Sequence, residues 1–248
     1  MKRLAASVKL RCEIAADYER LSRRAAWFIL RELKRRPDLL LCASAGGTPT
    51  RAYELLGRHA RRRPYLFRRM RVLQIDEWCG VPHGNPASCE TDLARKLLEP
   101  LRLDRKRYTG FRSDAADPEG ECRRIAGWLA RNGPIDICIL GLGTNGHVAL
   151  NEPGDALVPH VHVAKLTRSS QQHPMLKELR RKPRYGLTLG LADILSSRKL
   201  LLLVNGKHKR AAVQRLLKPN VTTRFPGSLL WLHPDATVLC DRGAAPLT

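Results

Sequence analysis

Residues Asp136–Leu140 read DICIL, a run in which apolar side chains follow one another without the alternation expected of a strand that has one wet face. A segment of this kind needs cover on both faces. That requirement is met in a parallel sheet whose strands are joined by helices lying above and below it. Two further runs share the property, Leu39–Ala43 (LLLCA) and Lys199–Val204 (KLLLLV), and Arg71–Ile75 (RVLQI) gives another strand. Stretches with helical spacing separate them, so the pattern predicts an α/β fold with an open, mostly parallel sheet flanked by helices, Rossmann-like in its layering. The 248 residues are ample for one such core, and a single domain over residues 1–248 is expected.

Taken in order, Ile14, Tyr18, Leu21, Ala25, Phe28, Ile29 and Leu33 predict an amphipathic helix over residues 13–36, ended by Pro37. Tyr53, Leu55 and Leu56 predict a second helix over 51–59. A helix follows over 86–101 and a short strand over 107–111. A helix over 117–131 opens on Asp-Pro-Glu, which suits a first turn that favours acidic groups. Residues 158–164 read as a strand, 171–181 as a polar segment and 185–191 as a short apolar element. A helix is expected from Gly206 to Leu217, and strand-like runs over 228–233 and 236–240.

The chemistry gathers where strands end. After Leu140 comes GLGTNGHVALNEPG, Gly141–Gly154, which sets His147, Asn151 and Glu152 just past the carboxyl end of a strand, where open parallel sheets bind ligands. Gly141, Gly143 and Gly146 also spell GxGxxG. A dinucleotide site expects a helix directly after those glycines, whereas Asn-Glu-Pro-Gly stops one within two turns, so no nicotinamide is expected. Leu39–Ala43 runs into Ser44, Ala45, Gly46, Gly47 and Thr48, then Pro49 and a helix. This is a geometry in which main-chain N–H groups and the helix dipole hold a phosphate, although an ordinary turn capped by Thr48 has the same signature. With no lysine after the glycines, it is not a Walker loop. Asp76 and Glu77 end the next strand, as a cap, a salt-bridged pair, or a general base lifted by desolvation. Their position at a third strand end favours the base. Lysines at the start of the 206–217 helix oppose its dipole unless an anion is present, which makes Lys209 a candidate phosphate ligand.

Lys plus Arg number 45 against 23 Asp plus Glu, a formal charge of +22. The cations are scattered, with short clusters at 61–63, 68–71 and 177–184, and only 5% of residues are aromatic, so a solvated basic surface that helps to steer a small anion is expected in preference to nucleic-acid binding. Seven cysteines without CxxC pairing or zinc spacing read as reduced structural thiols of a cytoplasmic protein, with no metal. The first residues, MKRLAASVKLRCEIAADYERL, lack the apolar core of a secretory leader, and no run approaches the roughly 18 apolar residues of a membrane span.

Four stretches, SAGGTP, IDEW, GLGTNGHVALNEPG and FPGSLLWLHPDATVLCDR, resemble in order the glucosamine-6-phosphate deaminase family over nearly the whole chain, and NPASCETDL, GFRSD and SSQQHPMLK look most like its galactosamine-6-phosphate isomerase (deaminating) branch. The resemblance implies a sheet of the glucosamine-6-phosphate deaminase / ribose-5-phosphate isomerase type. It implies an enzyme that converts a hexosamine 6-phosphate to a ketohexose 6-phosphate and ammonia without a cofactor. Asp76 would be the base at C2 and His147 would open the sugar ring, paired with Glu152. Ser44–Thr48 and Lys209 would hold the phosphate. Asn145 stands where some members have aspartate, so the charge supporting His147 falls mainly to Glu152. His173 stands where better-known members have a phosphate-binding arginine, for which Lys177 or Arg168 could substitute. The chain stops soon after its final strand, without the extended segment of hexameric members, so a monomer or weak homo-oligomer is expected. Two rival readings are a 6-phosphogluconolactonase-like hydrolase and a non-catalytic sugar-phosphate-binding protein.

Overall fold

The continuous apolar runs become the middle of a seven-stranded parallel sheet in the computed structural model, which describes residues 10–247. The reading of the first nine residues lies outside that range. The elements are β1 (Arg11–Ala15), α1 (Tyr18–Arg35), β2 (Leu40–Ala43), α2 (Gly47–Arg62), β3 (Arg71–Gln74), β4 (Asp76–Trp78), α3 (Cys89–Leu93), α4 (Glu99–Leu101), β5 (Tyr108–Thr109) and α5 (Pro118–Asn132). They continue with β6 (Ile137–Gly141), β7 (His162–Lys165), α6 (Arg168–Gln171), β8 (Tyr185–Thr188), α7 (Leu191–Leu195), β9 (Lys199–Val204), α8 (Arg210–Leu216) and β10 (Ala236–Asp241). The sheet order is β1-β10-β9-β6-β2-β3-β5, and every pairing in it is parallel. The expected α/β architecture, a mostly parallel sheet flanked by helices, is the one found.

Alternate residues of each central strand face opposite layers. Leu41, Ile137, Ile139, Leu201 and Leu203 pack with Leu21, Ile29 and Leu33 of α1 and Tyr53 and Leu56 of α2. Cys42, Cys138, Leu140, Leu200 and Leu202 pack on the other side with Ile125 of α5, Ile194 of α7 and Val213 and Leu216 of α8. This two-sided burial is why the strands read as unbroken apolar runs. As expected, α5 opens on Asp117, whose carboxylate caps Gly120 N–H, followed by Pro118 in the first turn.

Four expectations are corrected. The helix expected from residue 13 begins at Tyr18, because residues 11–15 form β1, an edge strand paired to β10, and Asp17 caps the helix from outside. The helix over 86–101 begins at Cys89 and passes through a π-helical turn, Ala94–Leu98. Residues 158–164 yield a strand only from His162, and it lies outside the main sheet: β7, β8 and β4 form a small antiparallel sheet that the sequence reading did not foresee. Of the strand expected over 228–233, all but His233 belongs to a 3-10 helix, Pro226–Leu232; the apolar run is short, and Pro226 pre-sets a helical φ at its start.

Candidate active site

Strands β2, β3, β6 and β9 deliver their carboxyl ends to one cavity of about 360 Å³, a size suited to a small ligand. Its lining includes Ser44–Thr48 after β2, Asp76 after β3, Gly143 and His147 after β6, and Asn205 and Lys209 after β9. His173, from the segment after α6, also lines it. Asn145 and Glu152 stand behind His147, outside the lining. Asn151 is buried and structural: its amide donates to the carbonyls of Val148 (3.1 Å) and Leu189 (2.9 Å), tying the turn to β8.

The chain switches sheets at Ile75, which places Asp76 on the seam between β3 of the large sheet and β4 of the small one. Its carboxylate accepts no hydrogen bond from any described residue. Burial, and then the neighbouring Glu77 charge, push its pKa up to about 7. Glu77 points the other way. It accepts from the N–H groups of Trp78 (2.7 Å), Cys89 (2.8 Å) and Glu90 (2.8 Å) and from Gln74 Nε2 (3.0 Å). Glu77 therefore anchors the start of α3, and Asp76 is the carboxylate left free to act on a ligand.

His147 is held by a carboxylate with a full set of partners. Glu152 Oε2 lies 3.4 Å from His147 Nδ1 and accepts from Asn145 Nδ2 at 2.9 Å. Glu152 Oε1 accepts from the hydroxyls of Thr167 (3.1 Å) and Ser170. Burial works to raise the Glu152 pKa, but the bond and charge of His147 and the donors Ser170 and Asn145 outweigh it and hold the group at about 2. An ionised Glu152 draws the imidazole proton to Nδ1 and leaves Nε2 as an acceptor for ligand. Two of the motif's glycines are required by packing. A Cβ at Gly143 would stand 2.6 Å from the His147 ring, and Gly146, at φ +93°, would drive one into Phe225.

The turn after β2 leads straight into a helix. Gly46 adopts φ +99° as the N-cap of α2, and the N–H groups of Gly47 and Thr48, its first two residues, have no partner among the described residues. Thr48 Oγ1 donates to Asn205 Oδ1 at 2.9 Å instead of capping the helix. Lys209 makes no ion pair with any described residue, and burial lowers its pKa. Burial, then the charges of His147 and Lys209, bring the His173 pKa down to about 4. With Nδ1 accepting the Met175 N–H at 3.3 Å, His173 presents Nε2–H on the side of Gly46. Arg168 and Lys177, the substitutes considered for the missing arginine, do not line the cavity. Sequence reasoning missed Thr167, Ser170 and Asn205; each works through a hydroxyl or amide contact across a long sequence separation, which leaves no local signature.

Residues 16–239 match the family described as glucosamine-6-phosphate isomerases/6-phosphogluconolactonase. The chain is 40% identical over 225 residues to the "Putative deaminase AgaI" of Escherichia coli K12, covering 91% of this chain and 89% of that protein. It is 35% identical over 235 residues to glucosamine-6-phosphate deaminase 1 of Bacillus subtilis, covering 93% and 96%. The solved structure of a monomeric glucosamine-6-phosphate deaminase of the NagB superfamily superposes with a TM-score of 0.89 at 34% identity, covering 95% of this chain and 98% of that one. A 6-phosphogluconolactonase from Trypanosoma brucei shares the fold at a TM-score of 0.76 and 20% identity, over 95% and 97% of the two chains. Family match, length coverage and superposition agree, and the chain belongs to the glucosamine-6-phosphate isomerase/6-phosphogluconolactonase family.

Proposed function

We propose that the protein is an amino-sugar-phosphate isomerase/deaminase that converts galactosamine 6-phosphate, or glucosamine 6-phosphate, and water to the ketohexose 6-phosphate and ammonia. One observation carries this reading: an unbonded carboxylate poised near neutral pH, a carboxylate-oriented imidazole and an anion cradle share one cavity.

Each group has a task that its surroundings suit. The sugar ring must open before the C2 proton becomes acidic beside the C1 aldehyde. His147 Nε2 takes the proton from the anomeric hydroxyl, and the imidazole returns a proton to the ring oxygen while Glu152 stabilises the charged ring. Asp76 removes the C2 proton to give an enolamine and delivers it to C1. Water adds to the resulting C2 imine, and ammonia leaves. The N–H groups of Gly47 and Thr48, with Lys209 and His173 Nε2–H, hold the phosphate away from the reacting carbons, and this binding energy positions C2 at Asp76.

The galacto substrate is favoured by the branch-like strings NPASCETDL, GFRSD and SSQQHPMLK. A monomer is favoured by likeness to the monomeric deaminase of known structure, and a reducing, cytoplasmic setting by seven free thiols, five of them buried. The test is ammonia release from galactosamine 6-phosphate and glucosamine 6-phosphate, with hydrolysis of 6-phosphogluconolactone measured in parallel. Ammonia from either amino sugar is expected. Lactone hydrolysis alone would make the protein a hydrolase, and tight binding without turnover would make it a sugar-phosphate-binding protein.

A further inference from the structure

Gly46 gives the phosphate turn its shape, and both of its main-chain polar groups are held by another part of the chain. Its N–H donates to Asp92 Oδ2 at 2.9 Å, and its carbonyl accepts from Lys96 Nζ at 3.3 Å as well as from Thr50 Oγ1 of α2 at 2.8 Å. Asp92 and Lys96 are themselves paired at 2.5 Å, with side chains 5% and 19% exposed. Asp92 lies in α3 and Lys96 in the π-helical turn that follows, an irregularity of a kind that concentrates at functional sites. The two side chains clamp the left-handed residue of the turn from behind.

The clamp has an electrostatic consequence. Once Asp92 has taken the Gly46 N–H, a buried carboxylate stands directly behind the place where an anion would bind. Alone it would repel that anion in a medium of low dielectric. The Lys96 ammonium, on the same carboxylate and on the Gly46 carbonyl, cancels that charge. Arg95 also approaches Asp92, but at 3.7 Å and from a side chain 71% exposed, where solvent screens it.

We infer that the Asp92–Lys96 pair is the positioning device of the phosphate turn: Lys209 is the cation that lines the cavity, and Lys96, from behind the turn, neutralises the carboxylate that would otherwise oppose a dianion there. This rests on the assignment of Ser44–Thr48 to the substrate phosphate. Asp92 fixes the backbone so that the N–H groups of Gly47 and Thr48 are left for the ligand. Lys96 removes the penalty of having a carboxylate there. Neither side chain is placed at the reacting carbons, so both act on binding and leave the proton transfers alone.

The test uses the full chain with Lys96→Met, the double variant Asp92→Asn/Lys96→Met, and Arg168→Ser and Lys177→Ser as controls. Lys96→Met leaves the carboxylate uncompensated, so KM for the hexosamine phosphate and the dissociation constant of inorganic phosphate should each rise about tenfold. The turnover number should stay within about twofold. In the double variant the asparagine keeps an acceptor for Gly46 N–H without the charge, and most of the lost affinity should return. Each control should move phosphate affinity by less than about twofold. Unchanged phosphate affinity in Lys96→Met, a loss confined to the turnover number, or a double variant as weak as the single would overturn the inference. Phosphate binding is read by calorimetry without any turnover, so it tests the clamp even if no hexosamine phosphate proves to be a substrate.

Discussion

Asp76 and Glu77 are adjacent carboxylates with divergent environments, Glu77 taken up by four hydrogen bonds and Asp76 left without one from any described residue, and the proposed role of Asp76 rests on that difference. Asp76→Asn should lower turnover by about a thousandfold or more while substrate still binds, because the amide cannot accept the C2 proton. Retained turnover would remove Asp76 from the reaction. With its pKa at about 7, Asp76 is carboxylate only above that value, so kcat/KM should fall as pH drops through about 7. The same shift acts on stability. Between about pH 4, where the unfolded chain ionises, and about 7, the folded protein holds a proton that the unfolded chain has released, so the group costs stability as pH rises across that window. Asp76→Asn should therefore melt above the parent at pH 8 and lose that advantage as pH falls toward 4, by about 2–4 °C for each kcal/mol relieved. Which of the two carboxylates is free was not legible in DEW alone, because Glu77 is spent on the N–H groups of Cys89 and Glu90, a dozen residues away in sequence. His147, by contrast, was legible, since NGHVALNEPG packs the imidazole, its glycine seat and its carboxylate into one short stretch.

At the scale of elements, the central strands were readable because burial on both faces writes itself as continuous apolar sequence. The elements misread are those whose partners decide their form. β1 pairs on one edge only, and its burial alternates little, so RCEIA merged with the helix that follows. The 3-10 helix Pro226–Leu232 carries an apolar run too short to separate strand from helix by periodicity. The small sheet pairs β4 with β8, more than a hundred residues further along the chain, and no local pattern announces that pairing. Glu77 links this sheet to α3, which in turn carries Asp92. Glu77→Gln leaves at least two buried N–H groups short of an acceptor and should cost about 2–4 kcal/mol in chemical denaturation. A loss below about 0.5 kcal/mol would show that water or a shifted backbone satisfies those donors.

For the whole molecule, the charge of +22 is distributed in a way the sequence did not reveal. Arg23, Arg31, Lys34, Arg58, Arg61 and Arg62 line an open groove between α1 and α2. α2 thus spans the layer from a phosphate-type turn at one end to a cluster of cations at the other. The candidate active-site cavity draws on a different property, the shared direction of parallel strands. Its contributors include residues 44–48, Asp76, Gly143, His147, His173, Asn205 and Lys209, and no pair of neighbouring strands holds them all. A partially assembled sheet would therefore own fragments of the constellation and none of its reactivity. In a urea titration, ammonia release should vanish at the same midpoint as the far-ultraviolet circular dichroism; catalysis outlasting the ellipticity would mean that some subset of strands is a competent enzyme by itself.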